Sequence, residues 1–293
     1  MERTPVGEPR SLSSPVIVLG ATSLVGRCLI QRLSEAAITT IAVSRNEQAP
    51  IAGVTWIMGD LAHLDFPPDI GARVAFSVSP IWLLPGALPS LHLTGVRRLV
   101  AFSSTSRFTK GNSPVASERA TAKRLADGEA GTRSFCESHE IAWTLLRPTL
   151  IYQDGLDRSV TRLAHLIRQL GFLPLSGDGG GMRQPVHADD LAQGAISAAV
   201  SPAAKNRDYN LPGGETLTYR AMAERIFEGM GRRPRVVSVP PAIWRIGLTI
   251  AAPLLPGATP AMGSRMAEDL AFDATPAQTD IQWRPRGFHP RFE

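Results

Sequence analysis

The chain has 293 residues, of which 43% are hydrophobic and 19% charged, and a formal net charge of +5 at pH 7. That length buries a sizeable core in one or two domains, and its 26 glycines and 24 prolines are dispersed, so they read as turns rather than low complexity. No basic run is interleaved with aromatic residues, which argues against a nucleic-acid partner, and no apolar run reaches about 18 residues, so no membrane span is expected. A mildly positive chain favours anionic small molecules and, weakly, anionic membranes. Nearly all the basic residues are arginine; the only lysines are Lys110, Lys123 and Lys205. The two cysteines, Cys28 and Cys136, lie far apart in predicted helices. They make neither a disulfide framework nor a metal spacing, and fit a reducing, cytoplasmic setting.

Residues 1–14 are polar and read as a disordered arm. Val16-Ile17-Val18-Leu19 then runs into Gly20, the pattern of a strand buried on both faces and ended by a tight turn. Gly26 opens an apolar segment to Leu33 that reads as a helix packed on that strand. Further strands are predicted over 38–43, 54–58, 74–79, 98–104 and 141–146, with a helix over 117–139. Strands alternating with helices and long connections imply right-handed crossovers and a parallel sheet. Beyond Tyr152 the pattern predicts a helix over 158–170, a glycine loop over 177–181, a short strand over 184–187 and a helix over 189–200. A helix capped by Thr218 and a strand over 235–239 follow. Residues 243–255 are apolar but broken, and read as a core helix or a lid in preference to an interface. The whole is a doubly wound α/β architecture: a parallel-sheet domain over 15–152 and a smaller carboxy-terminal substrate lobe over 153–293, partly interleaved with it.

A strand, a glycine turn and a helix place backbone N–H groups and a helix dipole against a pyrophosphate. Gly20, Thr22, Ser23, Leu24, Val25 and Gly26 are the candidate cradle. Ser23 stands where the fingerprint has its middle glycine; it is small, and its hydroxyl can donate to a phosphate. The same spacing also makes a plain strand–helix turn. After the second strand the chain reads Val43-Ser44-Arg45-Asn46. An acid there binds a ribose 2′-hydroxyl, whereas an arginine accommodates a 2′-phosphate. Arg45 therefore selects NADP(H) over NAD(H), unless it is only a solvated loop charge. Asp60, beside Leu61, is placed to accept from an adenine amino group or to cap a helix. The run His187-Ala188-Asp189-Asp190 fits helix capping better than a metal site, and no metal is expected.

Gly20-Ala21-Thr22-x-x-x-Gly26, Gly59-Asp60-Leu61, Phe102-Ser103-Ser104-Thr105-Ser106, Leu146-Arg147-Pro148, Val186-His187-Ala188-Asp189-Asp190-Leu191-Ala192 and Tyr209-Asn210-Leu211-Pro212-Gly213-Gly214 occur in that order. Over roughly residues 15 to 290 the chain thus resembles the extended or atypical short-chain dehydrogenase/reductases, the NAD(P)-dependent epimerase/dehydratase group. The resemblance implies a Rossmann-like NAD(P)-binding fold with Ser103, Thr105, Arg147 and Pro148 bordering the nicotinamide. It also implies that Thr105 fills the place of the family's catalytic Ser or Thr. The family's Tyr-x-x-x-Lys pair is missing: the only tyrosines are Tyr152, Tyr209 and Tyr219, followed four residues later by Leu156, Gly213 and Ala223. Counting back from Leu146-Arg147-Pro148 puts Glu129 on a family acid and Thr121 and Leu125 on the pair. Lys123 is then the nearby candidate for proton chemistry, with Thr105 or a bound water. Trp82 and the apolar stretch from Ile81 to Leu93 point to a nicotinamide wall or to core packing. Two functions follow as expectations: an oxidoreductase or epimerase of altered mechanism, or an NADP(H)-binding sensor, assembly factor or scaffold without turnover. The substrate and the oligomeric state, a homo-oligomer included, stay open.

Overall fold

The computed structural model describes residues 12–67, 70–244, 263 and 265–292. Most of the expected arm, and all of the 243–255 segment after Trp244, lie outside them. The chain begins with β1 (Val16–Leu19), α1 (Leu24–Glu35), β2 (Thr40–Ser44), β3 (Val54–Met58) and β4 (Val74–Ser77). It continues with α2 (Leu84–Leu93), β5 (Arg98–Phe102), α3 (Ser106–Thr109), α4 (Ala116–Ser138) and β6 (Ala142–Pro148). Then come β7 (Ile151–Tyr152), α5 (Val160–Leu170), β8 (Leu173–Ser176), β9 (Met182–Arg183) and β10 (Val186–His187). Finally there are α6 (Ala188–Val200), β11 (Arg207–Leu211), β12 (Leu217–Thr218), α7 (Tyr219–Gly229) and β13 (Val236–Val239), with a further helix over Thr275–Ile281.

Among the described residues, seven strands form one sheet in the order β11-β6-β5-β4-β1-β2-β3, with every pairing parallel. The alternation of side chains between two helix-covered faces explains why central runs such as Val16–Leu19 are apolar throughout, while the edge strand β11 carries Arg207, Asp208 and Asn210. Val16 and Val18 face α1 and α6, together with Leu29, Leu33, Leu191 and Ala195. Ile17 and Leu19 face the other way, onto Leu84, Leu88, Leu91 and Leu125 of α2 and α4. Each such side chain contributes about 1.5–3 kcal/mol when fully buried. Arg98 on β5 is buried as well; its guanidinium donates to the carbonyls of Ala198 (2.7 Å) and Ala199 (3.3 Å) and so closes the last turn of α6. That burial pushes its pKa down to about 10.

One face of the Ile81–Leu93 stretch is core, while Leu83 and Leu93 are exposed. Ile81, Leu84, Ala87, Leu88 and Leu91 are buried against the sheet, and the Trp82 ring lies under the Arg124 guanidinium at 4.6 Å. A second, smaller body packs α5 and α7 around Val160, Ile167, Leu175, Met222 and Phe227. Three two-stranded pairings, β7 with β10, β8 with β13 and β9 with β12, knit it together. The halves interleave: α6 covers the sheet, and β11 pairs with β6 at its end. No helix among the described residues is long and apolar enough to cross a membrane.

Candidate functional site

All the loops that carry the expected chemistry leave the sheet at one edge, the carboxyl ends of the strands. Register places them side by side: Leu19 pairs with Val43 and with Ser77, Ser44 with Met58, and Phe102 with Leu146. The turn after β1, Arg45 after β2 and Asp60 after β3 therefore emerge next to one another. The order of strands reverses between β1 and β4, where ligands enter open α/β sheets.

The glycine turn is built by backbone contact. Gly20 has φ of +75°, and a Cβ there would lie 2.6 Å from the main-chain nitrogen of Ser79. A Cβ on Gly26 would lie 2.4 Å from the Gly20 carbonyl oxygen and 2.7 Å from that of Ala21. The two glycines bring the start of α1 hard against the turn. Ser23 is the helix N-cap, its hydroxyl accepting from the Gly26 N–H at 3.1 Å. Leu24 and Val25, the first two helical residues, have N–H groups with no acceptor inside the helix. Thr22 is exposed beside them, its carbonyl accepting from Arg27. This donor set fits a dinucleotide pyrophosphate.

Arg45 is exposed and has no ion-pair partner among the described residues. Asp60 caps the turn of Leu61–His63, its carboxylate accepting from the Ala62 N–H at 2.9 Å, with Leu61 buried beneath. The capping role of Asp60 is thus present, and a second carboxylate oxygen remains beside it. His187 is the residue that caps α6: its Nδ1 accepts from Asp189 N–H at 3.1 Å. Asp189 instead pairs with Arg32 (2.6 Å) and Arg286 (2.7 Å), because its side chain faces those guanidinium groups.

At the ends of β5 and β6 the residues divide. Ser103 and Arg147 turn into a buried ionic cluster around Glu129, which is fully buried. Arg147 donates to both carboxylate oxygens (2.9 and 2.7 Å), Ser103 donates at 2.6 Å, and Arg107 forms a further ion pair. Burial pushes the Glu129 carboxyl up, but the hydrogen bonds and charges of these neighbours outweigh it and hold the group below its ordinary value. Arg147 continues to Asp208 on β11 at 2.8 Å. Thr105, by contrast, lines an open cavity of 1090 Å³ between the sheet and the smaller body. Its hydroxyl donates to the Pro148 carbonyl at 3.1 Å.

Lys123 does not share that cavity. It projects from α4 into solvent and pairs with Asp127 one turn along, at 2.6 Å. Thr121 donates its hydroxyl to Ser117, and Leu125 is core. Tyr152 packs its ring on His187 and Phe288, and burial pushes its hydroxyl up to about 12. The residues that do line the cavity beside Thr105, and that the sequence reading passed over, are Lys110, Arg183 and Tyr219. Lys110 carried one signal: it is one of three lysines in a chain that otherwise uses arginine, and it lies five residues past Thr105.

No protein-family model matches the chain. Among curated proteins it is similar to the mitochondrial NADH dehydrogenase [ubiquinone] 1 alpha subcomplex subunit 9 of Arabidopsis thaliana, at 24% identity over 257 residues. That match covers 80% of this chain, and the chain spans only 62% of that relative's length. It is also similar to a 2-alkyl-3-oxoalkanoate reductase of Stenotrophomonas maltophilia, at 26% identity, covering 75% of this chain and 77% of that one. Among solved structures, the UDP-glucuronic acid 4-epimerase of Bacillus cereus, in complex with UDP-glucuronic acid and NAD, superposes with a TM-score of 0.70. That likeness covers 93% of this chain and 94% of the epimerase at 14% identity. The parallel sheet, the glycine turn at its switch point and these likenesses together give the chain the fold of the NAD-dependent epimerases and dehydratases of the short-chain dehydrogenase/reductase superfamily.

Proposed function

We propose that the protein binds NADP(H) at the carboxyl edge of its sheet and interconverts a carbonyl and an alcohol in the adjoining cavity. The observation that carries this reading is the turn from Gly20 to Gly26, whose tight backbone packing leaves the Leu24 and Val25 N–H groups as donors at the switch point of the sheet. Gly20, Thr22, Ser23, Leu24, Val25 and Gly26 hold the pyrophosphate. Arg45 meets the 2′-phosphate, and the free oxygen of Asp60 meets the adenine. Pro148, whose carbonyl fixes the Thr105 hydroxyl, borders the nicotinamide side. When bound, the cofactor supplies the hydride chemistry. The chain's part is to exclude water and to place the reacting oxygen against Thr105.

The active site on this reading is atypical, because neither Thr121 nor Leu125 brings an acid to the cavity and Lys123 lies outside it. The same observation, with the Thr105 proton directed to Pro148, favours a second reading: a binder that senses the cofactor without turning it over.

Calorimetric titration with NADPH, NADP+, NADH and NAD+ tests the first claim; absence of binding by all four would sink it. Arg45→Ala is expected to weaken NADP(H) about fivefold while leaving NAD(H) unchanged, the scale of one charge-assisted contact at an exposed site. Equal affinities in the variant and the parent would remove Arg45 from the site. Thr105→Val is expected to abolish turnover and leave cofactor affinity intact. Full turnover in that variant would end the proposed role, and a parent that binds cofactor but turns over no carbonyl substrate would favour the sensor.

A further inference from the structure

The 1090 Å³ cavity lies at the top of, or beyond, the roughly 300–1,000 Å³ usual for small-molecule sites. Its wall is mainly aliphatic: Leu163, Leu166 and Leu170 line it from one face of α5, with Met222, Trp244 and Met266 among the residues that complete the lining. Set into it are Lys110, Arg158, Arg183 and Arg265, and Glu268 is the one carboxylate that lines it among the described residues.

Three of these cations, Lys110, Arg183 and Arg265, line the cavity together with Thr105. Arg183 is buried and has no carboxylate partner among the described residues. Its guanidinium donates to the carbonyls of Met182 (2.6 Å), Glu268 (2.8 Å) and Arg265, and lies over the Tyr219 ring at 5.2 Å. Lys110 is half-buried with no hydrogen-bond or ion-pair partner for its ammonium among the described residues. Arg265 pairs with Glu118, and its charge bears on Lys110. Burial, and then the Arg265 charge, push the Lys110 ammonium below its ordinary value. Buried positive charge without an anion is costly. Arg183 is met by carbonyls and Arg265 by Glu118, whereas Lys110 lines the cavity without such a partner among the described residues.

We propose that this cavity binds a single-chain amphiphile with a carboxylate head, the carboxylate on Lys110 and Arg183 and the chain along the leucine face of α5. Such a molecule is the substrate class of the reading above and rests on that reading for its turnover, though not for its binding. The head group at Lys110 and Arg183 leaves the carbons nearest it beside Thr105, so the reacting oxygen lies close to the carboxylate rather than at the far end of the chain.

The test is displacement of 11-(dansylamino)undecanoic acid from the full chain, with NADPH titrated into the same protein in a separate cell. Saturated carboxylates of eight to sixteen carbons are expected to displace the dye, with affinity rising about three- to fourfold per added methylene until the cavity is filled. Dodecyltrimethylammonium, of equal chain length and opposite charge, should bind at least tenfold more weakly than dodecanoate. Lys110→Gln is expected to lower dodecanoate affinity about tenfold and leave dodecanol unchanged. Leu166→Asp, placed on the chain wall, should weaken both. Displacement that ignores chain length, equal binding of the cationic surfactant, or displacement by UDP-glucose but not by carboxylates would overturn the proposal. So would uptake of dye-competing lipid only from phosphatidylglycerol vesicles, since that ligand is a membrane lipid. NADPH binding without carboxylate binding overturns this inference and leaves the cofactor reading standing. Carboxylate binding without NADPH leaves a lipid-binding cavity and removes the oxidoreductase.

Discussion

Glu129→Ala is expected to lower the stability of the protein by about 3–5 kcal/mol, the cost of leaving a buried charge without its partner. Glu129 is fully buried, and Arg147, 5% exposed, donates to both its oxygens. Removing the carboxylate strands that guanidinium with Asp208 alone. Urea unfolding reads the loss as a lower midpoint, and Glu129→Gln separates charge from shape, because the amide fills the same space without neutralising Arg147. A midpoint unchanged in both variants would refute the argument. The same group sets an acid limit. Its folded pKa lies below the ordinary carboxylate value, so its stabilisation is fully present above about pH 4.5 and is lost as pH falls through the lowered value. The midpoint of the parent should therefore drop in that acid window more than that of Glu129→Gln. The cluster also matters to the cavity: Ser103, Arg107 and Arg147 come from the segments on either side of Thr105, and one carboxylate ties them together.

Gly26→Ala is the second large effect. Its methyl would sit 2.4 Å from the Gly20 oxygen, and both neighbours are backbone, so α1 must move away from the turn. Overpacking of this kind costs about 1–3 kcal/mol, and the displaced helix also carries off the Leu24 and Val25 donors. We expect a lower Tm together with loss of measurable NADPH binding at temperatures where the variant is still folded. A variant that melts early but binds normally would show that the glycine serves packing alone.

Much of the sheet could be read from the sequence because most of its strands are short, largely apolar runs that end in a turn residue. Val16–Leu19 and Val54–Met58 carry the expected bounds, and the Thr218 hydroxyl caps its helix by accepting from Ala221 N–H at 3.0 Å. The α2 helix was hidden by its own prolines: Pro85 sits in the first turn, and Pro89 lies inside the helix, where a proline argues for a break. Arg147 and Ser103 stood where motif order puts them, but their partner Glu129 is distant in sequence, and only the fold shows that their side chains turn inward. The cavity left no local trace at all. Its walls come from segments as far apart as Thr105, Leu166, Met222 and Phe272, so no single period or cluster announces it.

The outermost strand of the sheet, β11, is made long after the strand it pairs with. On a ribosome adding roughly 5–20 residues per second, β6 waits several seconds with a row of unpaired N–H and C=O groups along one side. Such an open edge is a template for pairing with another chain. The Arg147 guanidinium, already held by Glu129, meets Asp208 on β11 at this edge. A chain cut at the junction after Tyr152 would keep that edge open permanently.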